Sequence, residues 1–524
     1  MPKKTQTSWP PKPVLSKTNY LVRFLPALVI GFIFACLIIG AWPILHHEIT
    51  FHVDIARDFM LLNQMVINHR PDLIGPRSSI PGYFHGPLWY YLSLPAFIIA
   101  GGDPIKVGWF WILLIAANIY ILYFVTSKIF GRHIGYLAAM LYATQTSGFA
   151  DQLFNPFGSL FLFPLLLYFN YLYLNSRKII HLLLLFFCYG LTFQFQTAFA
   201  APVMIVNLLY LLPTIFKHKH FKHLLAPFMI VIPLSTFILF DLRHQFLQTR
   251  SVWNFIFGPH QNAGLSMTNT LSQRFHNLSF IGLNPSVVTN GWGKYLGLTT
   301  LAILIVAALK PKFKYQSFFR LSLMIYLGFW LLVSFYPGEV WQFYYWPFMA
   351  LGVITTAALI KIWPSKISLG LVLLLISFNF YHTLSIRVVH GVFPGTDPSS
   401  WKFNLKLANQ IYTDTPGPFG YFVYTPELYA YSPKYAMLYA AKLHPSIQVH
   451  PSQKESTTYL IMAAAPEYRP ELTGEWWQHQ VGITRQPDQL TTYPNGYQVK
   501  KYLLSQQEQS VPTDPNLFDT LIFR

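Results

Sequence analysis

Long blocks almost free of charged side chains recur along the first three quarters of this chain, and they decide most of what it can fold into. A helix needs about 20 apolar residues to cross a hydrocarbon core about 30 Å thick. Blocks of roughly that length run over 22–45, 107–127, 134–150, 157–174, 179–197, 198–216, 223–240, 293–309, 321–336, 343–360 and 367–386. They predict about eleven transmembrane helices, with the 179–216 pair the hardest to divide. Only 11% of the residues are charged, against about a quarter in a soluble domain, so a soluble enzyme is excluded.

The net charge of +18 would point to nucleic acid in a soluble chain, but its distribution gives a different reading. Lys128, Arg132, Arg177, Lys178, Lys217, Lys219, Lys222, Lys310, Lys312, Lys314, Arg320, Lys361 and Lys366 fall between alternate blocks, on the side of the basic N-terminus. Glu48, Asp54, Asp58, Asp72, Asp103, Asp151, Asp241 and Glu339, all the acids before residue 390, fall on the other side. Lys and Arg gather in cytoplasmic loops, so the basic side is read as inside and the acidic side as outside, in a plasma (inner) membrane. No nucleic-acid partner is expected. The first block is too long for a cleaved signal peptide and no small-residue cleavage site follows it, so it is read as a retained anchor. Cys36 and Cys188 lie inside blocks and are read as packing residues, with no disulfide or zinc site.

Three regions follow: a basic cytoplasmic tail over 1–20, a transmembrane domain over 21–390, and an external α/β domain over 391–524. In the last, 401–412 and 427–443 have helical spacing, the second broken near Pro433, while 420–425, 457–465 and 496–504 read as strands. The longest external loop is the first, 46–106. If 52–66 is helical, Asp54, Arg57 and Asp58 share one face. Two carboxylates one turn apart repel, and a cation or Arg57 would offset that. The alternative is an interfacial helix with Phe59, Leu62 and Met65–Val66 dipped into lipid. Further on, 88–100 is too short to span and suits an interfacial helix anchored by Trp89, Tyr90 and Tyr91. Before it, Gly82, Gly86 and Pro87 surround His85 in a turn where backbone can approach a ligand closely. A lone histidine is as readily structural.

The acidic loop Asp54–Ile55–Ala56–Arg57–Asp58, followed by Phe84–His85–Gly86–Pro87–Leu88, resembles the GT-C superfamily of polyprenyl-phosphate-dependent glycosyltransferases. Within it the chain is most similar to the branch of the protein O-mannosyltransferases and the bacterial lipid A aminoarabinose transferase. The layout extends over about 20–390, though the specific motifs occupy far fewer positions. The resemblance implies a GT-C-like polytopic helical fold and transfer of a sugar from a polyprenyl-phosphate donor to an external lipid, glycan or protein hydroxyl. It makes Asp54 the acid that activates the acceptor, with Asp58 a second candidate and a divalent metal ion allowed at the two. Better-known members carry an Asp-Glu pair and a proline or lysine in the turn, where this chain has Ile55 and Gly86.

Other polar groups gather on the same side. Asp151 and Asn155 stand between two spans in an Asn-Pro turn, and Gln194 and Gln196 lie at an outer span end, facing either a cavity or a neighbouring helix. Arg243 and His244, just beyond another span, are candidates for the donor phosphate together with Arg57 and His85; a snorkelling arginine is the alternative. Tyr83, Asn155, Gln196 and Tyr345 are candidate cavity-lining residues, Tyr345 within the aromatic run 341–346. A single displacement at the anomeric carbon would invert configuration. The rival reading is a transporter or flippase of lipid-linked saccharide. Such proteins place ionisable groups near the bilayer midplane, whereas here they sit at span ends.

Overall fold

The protein is seen here as a computed structural model that describes residues 17–258, 266–288, 291–336, 338–391, 397–426, 429–465 and 471–515, with residues 467, 469 and 517. Most of the basic tail over 1–20 lies outside the described residues. Every apolar block becomes helical. Lys17–Gly40, Pro104–Phe130, Arg132–Thr146, Phe157–Ser176, Ile179–Phe195 and Thr197–Lys217 account for the first six. The seventh is a bent pair, Phe221–Val231 and Ser235–Arg243, at 64°. Gly293–Leu309, Gln316–Ser334, Phe348–Ala357 and Lys366–Leu384 follow. By length and composition five of these helices can cross a membrane, or six with the bent pair counted as one. The others are apolar but shorter, so helix length alone does not give eleven crossings.

Local chemistry sets the boundaries. Gly131, at φ 98°, ends Pro104–Phe130 and lets Arg132–Thr146 return against it. Gln196 is extended, at φ −158° and ψ 94°, and divides the pair that sequence left hardest to separate. Arg132–Thr146 lies at the centre, packed on Lys17–Gly40, Phe348–Ala357 and Lys366–Leu384.

On the side carrying the first external loop, the helix Val53–Asn68 starts at His52, whose ring accepts from the Asp54 amide at 3.3 Å. Its apolar face does not meet lipid. Phe59, Leu62 and Met65 are buried, with Phe59 edge-on to Phe97, Trp111 and Tyr435. The lipid-dipped alternative therefore fails, because protein covers that face. The expected membrane anchors Trp89 and Tyr90 are corrected for the same reason. They lie on the helix Leu88–Ile99 but are 2% and 0% exposed, turned into the protein.

The C-terminal region carries a five-stranded sheet, β1 Phe419–Tyr424, β2 Val449–Pro451, β3 Thr457–Met462, β4 Gln489–Thr492 and β5 Gln498–Leu503, in the order β2-β1-β3-β5-β4. Strand β1 pairs in parallel with β2 and β3, while β5 runs antiparallel to β3 and β4. Neighbours in β1 point to opposite faces: Tyr421 joins the main core, while Phe422 packs with Trp476, Trp477 and Tyr502. The second helix, Tyr431–Leu443, is unbroken, because Pro433 falls in its first turn where no amide is needed.

This region is tied to the loop helix. Phe51 is fully buried between Phe59, Trp401 and Tyr435, at ring separations of 5.3, 4.8 and 5.6 Å. Ser432 donates to the Phe51 carbonyl at 2.7 Å, Tyr435 to Gly102 at 2.6 Å, and Ser400 to the buried Glu48 carboxylate at 2.7 Å.

Candidate functional site

The spacing of three residues on one helix builds the centre of the site. Arg57 places one nitrogen 2.6 Å from Asp54 Oδ1 and another 2.9 Å from Asp58 Oδ1. The three members differ in exposure. Side chains are 39% exposed for Asp54, 12% for Arg57 and 4% for Asp58, so Asp54 is the one open to a ligand. Tyr90, from the neighbouring helix, donates to Asp58 Oδ1 at 3.2 Å. Burial pushes the Asp58 carboxyl up to about 6 against the pull of Arg57. Arg57 is desolvated as well, but the two carboxylates hold its guanidinium charged and raise its pKa.

Asp54 and Asp58 do not fit a divalent ion as they stand. The position between them is taken by Arg57, and among the described residues no third His, Cys, Asp or Glu completes a cluster. An ion there would have to displace a buried guanidinium.

The turn holding His85 is fixed by backbone pairing. Gly75 N donates to the His85 carbonyl at 2.7 Å, and His85 N to Pro76 at 2.8 Å. Gly86 N donates to the Gln194 carbonyl at 2.9 Å. A Cβ on Gly86 would lie 1.8 Å from Gln194 Oε1, which explains why glycine stands in this turn. A proline there would also lose the amide donor. Burial, then the positive charge of Arg57, lowers the His85 pKa to about 4, with Asp54 acting in the other direction. Its Nδ1 is buried without a partner among the described residues.

His85 also lines a groove of about 530 Å³. Ala198, Ala201 and Ile205 of Thr197–Lys217 form one wall, with Leu332, Val333 and Phe335 opposite. The polar lining residues include His85, Ser79, Tyr336 and Tyr344, with Ser79 3.3 Å from the Tyr336 hydroxyl. Tyr83 lines the same groove and its hydroxyl meets Thr197 at 2.5 Å.

The other expected residues are not drawn together. Arg243 and His244 are exposed at the end of Ser235–Arg243, and His244 stacks on Phe240 at 4.0 Å. Neither lines the groove. Asn155, Gln196 and Tyr345 are buried rather than lining it. Asn155 donates to the Phe195 carbonyl at 2.9 Å, a tie across the span break, while the Gln196 amide is fully buried with both ends unpartnered. Arg274, which sequence reasoning passed over, is a buried cation that does not line the groove itself but stands close to its lining residue Tyr336. It is 9% exposed, donates to Gly338 at 3.2 Å, and its charge reaches the hydroxyls of Tyr336 and Tyr345. Its signal in the sequence was weak, since the helix Met267–Asn277 is neither acidic nor apolar. Arg387 was missed too. It pairs at 2.7 Å with Asp151, which is fully buried and also accepts from Thr50.

Among solved structures the chain is similar to ArnT from Cupriavidus metallidurans bound to undecaprenyl phosphate, at TM-score 0.58 and 12% identity, covering 93% of this chain and 98% of that one. The chain shares its overall fold with this ArnT. The apo state of ArnT matches over the same shares, at TM-score 0.56 and 10% identity. No family model matches the sequence, and no curated protein does. At 93% of the chain, the match extends beyond the transmembrane region read from the sequence.

Proposed function

We propose that the protein is a membrane glycosyltransferase that moves a sugar from a polyprenyl-phosphate donor to an acceptor on the outer face, with inversion. One observation carries this reading. His85 lines an apolar groove and at the same time feels the charges of Arg57 and Asp54. A long apolar tail fits the groove, and its phosphate then arrives beside an open carboxylate. The bound undecaprenyl phosphate of ArnT supports the choice of carrier.

In this mechanism Asp54 takes the proton of the acceptor hydroxyl as it attacks the anomeric carbon. Arg57 is a positioning residue rather than a phosphate ligand, because both carboxylates already engage it. Asp58 and Tyr90 fix Arg57 in turn. The leaving phosphate is met by Arg274, with the His85 ring, neutral above about pH 4, as a hydrogen-bond partner. Arg243 and His244 have no part in this account. No step runs through a metal ion, whose place Arg57 occupies. The N-terminus is cytoplasmic and the site and C-terminal region are external, by the distribution of basic and acidic loops.

The purified protein, given a polyprenyl-phosphate sugar and a membrane extract as acceptor source, releases polyprenyl phosphate. Movement of the intact lipid-linked sugar across proteoliposomes without release would favour a flippase and overturn the reading.

A further inference from the structure

A second cavity, of about 670 Å³, is linked to the start of the Asp54 helix by a chain of aromatic rings. Trp346 and Phe149 line it, at a ring separation of 5.0 Å. Phe154 packs on Trp346 from behind at 6.3 Å and edge-on against His52, the cap of the Asp54 helix, at 5.1 Å. Its chemistry is the opposite of the groove. Lys294, His276, His382 and Arg387 line it, and no Asp or Glu does so among the described residues. Arg387 is committed to Asp151. Lys294 is not: no carboxylate lies within 4.0 Å of it among the described residues. It stands in the first turn of Gly293–Leu309, where the helix end adds positive potential. Gln145 supplies an independent observation. It is 3% exposed, donates to the Asn284 carbonyl at 2.8 Å, and leaves its Oε1 buried without a partner among the described residues. That orphan acceptor calls for a hydroxyl donor.

We propose that this cavity holds the acceptor through an anionic group, a phosphate or carboxylate at Lys294 and His382, with a neighbouring hydroxyl donating to Gln145. The word acceptor rests on the transferase reading; the anion site does not. The cavity shares no lining residue with the donor groove, so both ligands can be present together.

Calorimetry on the full-length protein in neutral detergent tests it with two probes, glycerol 3-phosphate and dihexanoyl phosphatidylglycerol. Binding of the first supports recognition of the bare anion and hydroxyl, and binding of the second alone supports a lipid headgroup. In either case Lys294→Gln weakens binding about tenfold, the effect of one charge-assisted contact, Lys294→Arg retains most of it, and polyprenyl phosphate affinity stays unchanged. His382→Gln gives a second variant should Lys294→Gln fold poorly. Failure of both probes to bind, or binding indifferent to Lys294→Gln and His382→Gln, overturns the inference. Anion binding without any sugar transfer would leave this site standing and remove the transferase reading instead.

Discussion

Arg57 replaces the cation that two carboxylates one turn apart would otherwise need, while burial makes Asp58 the pH-sensitive member of the site. With its pKa raised from 3.8 to about 6, Asp58 loses its charge as pH falls through 6 and no longer shares the guanidinium. Asp54 is then left to hold Arg57 alone, and the geometry of the pair changes. Transfer is expected to fall as pH drops through about 6, and Asp58→Asn to remove that limb, as read from the pH–rate profile. Stability runs the other way. The folded state binds the Asp58 proton more tightly than the unfolded chain, so this group's contribution declines as pH rises from about 4 to about 6 and is flat above. Thermal unfolding of the wild type and Asp58→Asn across that range checks the sign. At Gly86 the constraint is steric. Gly86→Ala is expected to cost about 1–3 kcal/mol, because Gln194 must move, and the melting temperature measures it.

The helix Val53–Asn68 is held in place by elements distant in sequence, and that limits what its own residues reveal. Asp54, Arg57 and Asp58 were legible as one face from their spacing alone. The cover over Phe51 and Phe59 was not, since Trp401 and Tyr435 come from a region that sequence reading took as a separate external domain. Trp401→Ala should therefore lower stability by about 3–5 kcal/mol and reduce transfer as well, although the residue lies outside the site. A loss of stability with unchanged turnover of the folded fraction would show that the seam does not position the helix. The buried pair of Asp151 and Arg387 obeys another rule. Asp151→Asn alone should cost about 3–5 kcal/mol, and pairing it with Arg387→Met should recover much of that, in a double-mutant cycle by chemical denaturation.

Across the whole molecule, charge-free blocks located the apolar helices to within a few residues, because hydropathy is a local property. The site cations were harder. Arg243 stood out beside an acid at a span end, yet it is exposed, while Arg274 and Lys294 come together with the site only through the packing of helices far apart in the chain. The resulting molecule offers an apolar groove and a basic cavity with no lining residue in common. Filling the groove with Ala201→Trp is expected to raise the KM for a polyprenyl-phosphate donor about tenfold or more while leaving anion binding in the other cavity intact. The central claim is the role of Asp54, and the turnover of a polyprenyl-phosphate sugar by Asp54→Asn tests it most directly. The account predicts a loss of about 10²–10⁴-fold with donor affinity retained; transfer at the wild-type rate by the folded variant would contradict it.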